Sequence, residues 1–193
     1  MSEMRRVVGI NFDHMHMGDN LSFAHEHPDV ELVGVSDERP ERMESAIASF
    51  GLKPSQVFTD WRACMEQTSP ELVILCPATG EHALWVERIA QFGCHVMLEK
   101  PFASNLADAD AMVGAMARGG GRLAINWPLA WYPPHVTAKR LVDEGRIGEV
   151  QSVNYYDGNR GPLYHVEAKI ETSAEFRAEE KAQSWFYKRE KGG

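Results

Sequence analysis

The sequence predicts an α/β fold. A doubly wound parallel-sheet domain with helices on both faces spans residues 1–124, and the beginning of a second α/β domain spans 125–193. Three observations predict it. Apolar runs alternate with amphipathic segments roughly every 20 to 30 residues, the rhythm of crossovers between parallel strands. The apolar runs are short and unbroken, as expected of strands covered on both faces. Beyond about residue 124 the texture changes to a Trp- and Pro-rich stretch that belongs to neither pattern.

The elements follow in order. "RRVVGI" is a buried strand, followed by a loop and a helix near Met17–His27. "VELVGV" at 30–35 is a second strand. "ERPERMESAIASFGL" has helical spacing through Met43, Ile47 and Phe50, with Gly51 as the stop. "QVF" gives a short third strand, and Asp60 caps a helix to about Gln67. "ELVILCP" is the clearest central strand, ended by Pro77. "GEHALWVERIAQFG" is amphipathic, with Ala83, Val86, Ile89 and Ala90 on one side. "CHVMLEKP" is a fifth strand, "NLADADAMVGAMARGG" a helix capped by Asn105, and "RLAIN" a sixth strand. A helix over about Pro134–Glu144 and an alternating strand over 149–156 open the second unit. A lone helix and strand make a poor domain, so the chain is expected to be truncated and poorly soluble.

Composition narrows the function. The 193 residues are 44% hydrophobic and 25% charged, with a net charge of -8. That balance suits a soluble packed domain and argues against a nucleic-acid partner, whose phosphates select a basic face. No run nears the roughly 18 apolar residues of a membrane span, and the early first strand leaves no room for a signal peptide. Cys64, Cys76 and Cys94 fit no CxxC pair or disulfide framework; buried thiols in a reducing cytoplasm are expected.

In such a sheet, ligands bind beyond the carboxyl ends of the strands. The groups able to reach them are Asn11–His16, Asp37–Arg39, Pro77–His82, Glu99–Pro101 and Asn126–Trp131. Asp37 follows the second strand directly, where a carboxylate accepts from an adenosine ribose diol and repels a 2'-phosphate, favouring NAD over NADP. Arg39 pulls the other way, and Asp37 as a helix cap is the alternative. In the first turn, Asn11, Asp13 and His16 stand where G-x-G-x-x-G would place glycines. Asn tolerates left-handed backbone, Asp13 repels a pyrophosphate unless it points away, and His14 or His16 compensates when protonated. Asp13, His14 and His16 also form a candidate metal set, but nothing forces more ligands to converge, and no metal ligand is assigned.

Lys100, in "EKP" at the end of the fifth strand, is placed to stabilise an oxyanion during hydride transfer, with Glu99 orienting it or the nicotinamide ribose. A surface ion pair is the alternative. Asn126, Trp127 and Trp131 are candidate substrate contacts; with Tyr132, the two Trp residues fit equally a seam between domains.

"ELVGVSDERPER", "ELVILCPATGEHALWVERIAQFGCHVMLEKPFA" and "AKRLVDEGRIGEV" together resemble the Gfo/Idh/MocA oxidoreductases. The resemblance implies a Rossmann-like first domain and a second domain that forms the substrate pocket and often the oligomer interface. It implies that Asp37 holds the adenosine ribose. Pro77, Ala78, Thr79 and His82 would line the dinucleotide along with Asn11, Phe12, His14, His16, Arg39, Glu99 and Pro101, while Lys100 sits by the nicotinamide. Two departures matter: the first turn lacks its glycines, and the chain stops before the segment that carries the family's acid–base histidine. The expected activity is hydride transfer between NAD and a sugar, polyol or related hydroxy compound, in a full-length homo-oligomer, with this chain alone inactive. The alternatives are a dinucleotide-binding protein without turnover and a metal-dependent lyase or hydrolase built on Asp13, His14 and His16.

Overall fold

The computed structural model describes residues 4–156, 165–166, 169–170 and 184–192. Six strands form one parallel sheet: β1 (Arg5–Ile10), β2 (Val30–Ser36), β3 (Val57–Phe58), β4 (Leu72–Leu75), β5 (His95–Glu99) and β6 (Leu123–Asn126). Their spatial order is β3-β2-β1-β4-β5-β6. Strand order therefore reverses between β1 and β4, and the crevice at that switch point opens at the strands' carboxyl ends. Helices α1 (His16–Glu26), α2 (Glu44–Phe50), α3 (Trp61–Thr68), α4 (His82–Ala90) and α5 (Leu106–Gly119) supply the crossovers.

The unbroken apolar strands feed two cores. Val8, Ile10, Val73 and Leu75 face one side with Trp85, Val86, Ile89 and Met112. Val7 and Ile74 face the other, with Met17, Leu21, Val35 and Met43. Adjacent residues of one strand thus enter opposite cores, which requires both positions to be apolar.

Close approaches at two glycines set the spacing of the layers. A Cβ at Gly9 would stand 2.9 Å from Leu21 Cδ2 and 3.0 Å from Met17 Sδ, so β1 lets α1 settle directly onto it. A Cβ at Gly121 would stand 2.0 Å from the Cys94 carbonyl oxygen, a backbone atom with no room to yield. The helix boundaries follow local signals. The Asp60 carboxylate accepts from the amides of Arg62 and Ala63, Asn105 accepts from the Asp108 amide, and Gly51 ends α2 at φ 60°.

Past the sheet, α6 (Pro133–Asp143) matches the expected helix within a residue, and β7 (His165–Val166) pairs antiparallel with β8 (Lys169–Ile170). The strand expected over 149–156 does not form. Those residues are exposed and without regular structure, because no described strand lies alongside to take their hydrogen bonds. Among the described residues, no helix is long and apolar enough to cross a membrane.

All three cysteines are free and buried. Burial raises the thiols, to about 12 for Cys64 and about 11 for Cys94, with Cys76 raised as well. None is expected to react with a thiol-specific reagent until the chain unfolds, and a fast-reacting fraction under native conditions would contradict this packing. Gly121→Ala is expected to cost roughly 2–3 kcal/mol in urea denaturation, whereas Gly9→Ala meets only the ends of flexible side chains and is expected to cost about 1 kcal/mol.

Candidate functional site at the carboxyl edge of the sheet

The chain leaves β1 through Asn11 at φ 66°, the left-handed conformation that the first glycine of a phosphate loop normally supplies. The amides that follow are committed within the protein. Asn11 N donates to Ser36 O at 2.9 Å, Phe12 N to Asp37 Oδ2 at 2.7 Å, Asp13 N to Asn11 Oδ1 at 2.9 Å and His14 N to Cys76 O at 3.0 Å. The His16 amide donates to His14 Nδ1 at 3.2 Å. Gly9 takes over the helix–strand contact that the third glycine usually permits, which frees position 16 for a histidine.

Asp13 points away from the turn. Its carboxylate accepts from Arg42 Nη1 at 2.5 Å and from the Ala78 amide at 3.2 Å, bridging the loops after β1, β2 and β4. That arrangement corrects the candidate metal set, since Asp13 faces a guanidinium rather than the two imidazoles. It also meets the condition under which Asp13 tolerates a nearby phosphate. Arg42, which no sequence pattern singles out, also stands 3.6 Å from Asp37 Oδ2.

Asp37 lies at the floor of a cleft of about 340 Å³ lined by Asn11, Ser36, Arg39, Trp61, Trp85 and Arg88, among others. One carboxylate oxygen accepts from Phe12 N and the other from Arg39 N at 2.8 Å, leaving each a further lone pair. Burial pushes its pKa above the usual carboxylate value, outweighing those two amide bonds. Beside it the buried Ser36 hydroxyl has no hydrogen-bond partner among the described residues. Arg88 lies over Trp85 at 4.9 Å, forming an aromatic–cationic wall of the cleft.

Glu99 closes the other end of the edge. Its side chain is fully buried, with Oε1 2.9 Å from His16 Nδ1 and 3.7 Å from Lys100 Nζ. Oε2 accepts from Asn126 Nδ2 at 3.1 Å, and the same amide group donates to Asn20 Oδ1 at 3.0 Å. Burial works to raise the Glu99 pKa, but the His16 hydrogen bond and the charges of His16, His14 and Lys100 outweigh it and hold the pKa below its ordinary value. Asn126 is therefore engaged in orienting Glu99. Trp127 and Trp131 remain 48% and 76% exposed, so neither forms a pocket wall within this chain.

Two expected cofactor contacts turn inward instead. The Phe12 ring is packed in the core, leaving only its backbone at the turn. His82 is 1% exposed, and its ring nitrogens lie 3.1 Å from Phe102 O and 3.2 Å from Pro77 O. Burial lowers its pKa, and the ring sits between these two loop carbonyls with one N–H, when neutral, to donate to one of them. Pro77, Ala78 and Thr79 are buried too, in part beneath residues 189–192, whose backbone passes close to Gly80. Sequence reasoning also missed Trp185, whose indole N–H donates to Asp13 O at 2.9 Å and which stacks on Phe186 beside His14. Nothing in the sequence links positions so far apart.

A parallel sheet of this order, with a carboxylate lining a cleft directly after its second strand, is a Rossmann-like fold of the dinucleotide-binding type. Residues 6–127 match the family described as an oxidoreductase family with an NAD-binding Rossmann fold, and the chain belongs to this Gfo/Idh/MocA family. It is 30% identical over 145 residues to D-apiose dehydrogenase of Paraburkholderia graminis, covering 74% of this chain and 36% of that protein. Inositol 2-dehydrogenase of Rhizobium meliloti is 26% identical, over 65% of this chain and 37% of its own length. The chain thus spans little more than a third of these relatives. Among solved structures, an Agrobacterium radiobacter oxidoreductase in complex with NAD+, L-tartaric acid and magnesium superposes with a TM-score of 0.69 at 21% identity, over 75% of this chain and 42% of that one. The WlbA dehydrogenase of Bordetella pertussis, in complex with NADH and UDP-GlcNAcA, gives 0.67 at 24% identity, over 76% and 44%. At these identities the superpositions speak to the fold.

The two buried carboxylates are expected to respond oppositely to pH. Asp37 binds its proton more tightly folded than unfolded, so relative to Asp37→Asn the chain is expected to lose stability as pH rises from the usual carboxylate range through the raised value. Glu99 binds its proton less tightly when folded. Its contribution is present above the unfolded value and lost as pH falls through the depressed one, so Glu99→Gln is expected to flatten the acid limb. Urea midpoints across pH 3 to 8 (about 1 unit apart) check both signs.

Proposed function

We propose that this chain is the dinucleotide-binding part of an NAD-linked oxidoreductase that moves hydride to or from a sugar, polyol or related hydroxy compound. The observation that carries the reading is the Asp37 carboxylate at the floor of the cleft, with spare lone pairs and the unpartnered Ser36 hydroxyl beside it. A ribose diol donates to the Asp37 carboxylate, whereas a 2'-phosphate would meet its charge. Family membership and the sugar- and inositol-acting relatives support the substrate class. Lys100, at the end of β5 and one-third exposed, is the group assigned to substrate oxygen as charge develops there. Asn11 and the half-buried His16 are the first-turn groups assigned to the approach of the pyrophosphate, with His14 buried behind Trp185 and Phe186.

The committed amides of the first turn change how a pyrophosphate is held. Its charge is met by the field of the α1 N-terminus and by cationic side chains, of which Arg39, Arg42 and Lys191 border the cleft. Compensation of this kind is screened by salt more strongly than amide hydrogen bonds are.

Calorimetric titration tests the reading. NAD is expected to bind more tightly than NADP, and Asp37→Ala is expected to weaken NAD by roughly 10- to 100-fold, the worth of charge-assisted hydrogen bonds. NAD affinity is expected to fall with added salt and as pH drops through the raised Asp37 value. A folded sample that binds neither cofactor would remove the basis for the proposal.

A further inference from the structure

His14, His16 and Glu99 bring three metal-ligating atoms within 4.8 Å of one another, two of the residues buried and the third half-buried. The two imidazole centroids are 4.3 Å apart, and both rings lie against a carboxylate that is withdrawn from water. Each residue offers a ligand atom once its present hydrogen bond is exchanged for a metal bond. Metal bonds of about 2.1 Å at a tetrahedral angle place ligand atoms roughly 3.4 Å apart. The 2.9 Å His16–Glu99 contact opens slightly to reach that value, and all three ligand atoms lie within 4.8 Å of one another. The His14 Nδ1 bond from the His16 amide, 3.2 Å long, is given up when the ion binds, because an imidazole that ligates through Nε2 carries its proton on Nδ1.

We propose that His14, His16 and Glu99 form a site for one divalent transition-metal ion of the zinc class, with open positions for water or a substrate oxygen. Two imidazoles and one carboxylate match the donor set of open catalytic zinc sites, and magnesium, which takes oxygen ligands, is not the expected occupant. The surroundings fit. Asn126, itself held by Asn20, fixes Glu99 Oε2 and leaves Oε1 toward the imidazoles, the outer-shell support that ligating carboxylates receive. Trp185 and Phe186 pack against His14 and shield it from solvent. Lys100, 3.7 Å from the same Glu99 oxygen, opposes a second positive charge. Bound ion and ammonium would then share the edge where substrate oxygen is expected, and any proton on a coordinating nitrogen passes to solvent as the ion binds. The proposal does not rest on dinucleotide binding, since its readout is metal uptake.

The test is titration of the metal-stripped, tag-free chain with Zn2+ by calorimetry and with Co2+ by visible absorption. The expected result is one equivalent of each, no uptake of Mg2+, and affinity lower by roughly 100-fold in His14→Ala, His16→Ala and Glu99→Gln, each checked for folding by circular dichroism. Asn126→Ala is expected to weaken binding about 10-fold. His16→Cys keeps a ligand atom and is expected to bind Co2+ with a new thiolate charge-transfer band. His25→Ala with His27→Ala, both exposed, is expected to change nothing. No stoichiometric uptake by the folded chain, or uptake unchanged in the folded ligand variants, would overturn the site.

Discussion

Between Ile10 and His16 the backbone turns from strand to helix without a glycine, and four hydrogen bonds from successive amides hold it there. Everything at the carboxyl edge depends on that turn. Asn11 supplies the left-handed residue and then accepts from Asp13 N with its own side chain. Asp37 fastens the end of β2 to the turn through Phe12 N, and Cys76 O fastens β4 to it through His14 N. The strands on either side of β1 are therefore both tied to one five-residue segment (11–15) at the point where their order reverses. A glycine-rich turn leaves its amides for a phosphate; this one has used them to assemble the site.

Two buried carboxylates divide the edge between them. Asp37 has two amides, a guanidinium at 3.6 Å and the opposed charges of Asp13 and Arg39 around it, and desolvation outweighs them and raises its pKa. Glu99 has two imidazoles, a lysine and an asparagine, so favourable interactions dominate and its charge is held. Similar burial thus yields opposite shifts because the partners differ. At the Asp37 end the geometry suits hydroxyl recognition, and at the Glu99 end it gathers the groups able to handle charge at a reacting oxygen.

The sheet and its crossovers were legible because unbroken apolar strands and local caps such as Asp60 and Asn105 are short-range signals. The places of Asn11, Asp37 and Lys100 in the fold were legible because position after a strand puts them at the carboxyl edge of the sheet. What failed was direction. Phe12 and His82 sit in the correct loops, but the apolar ring finds the core and the imidazole finds two carbonyls, and sequence does not encode that choice locally. Asp13 pairs with Arg42 across 29 positions and with Ala78 across 65, so its departure from the histidines depends on tertiary structure. Alternation at 149–156 signalled a strand, yet pairing requires a neighbour as well as a pattern.

The most direct measurement is amide chemical-shift mapping of the 15N-labelled chain during NAD addition. Shifts concentrated at Asn11–His16 and Asp37–Arg39, saturating together, are the expected result, because those backbones surround the cleft and share its hydrogen bonds. Shifts scattered elsewhere, or none at saturating cofactor in a well-dispersed spectrum, would contradict a dinucleotide site built on this turn.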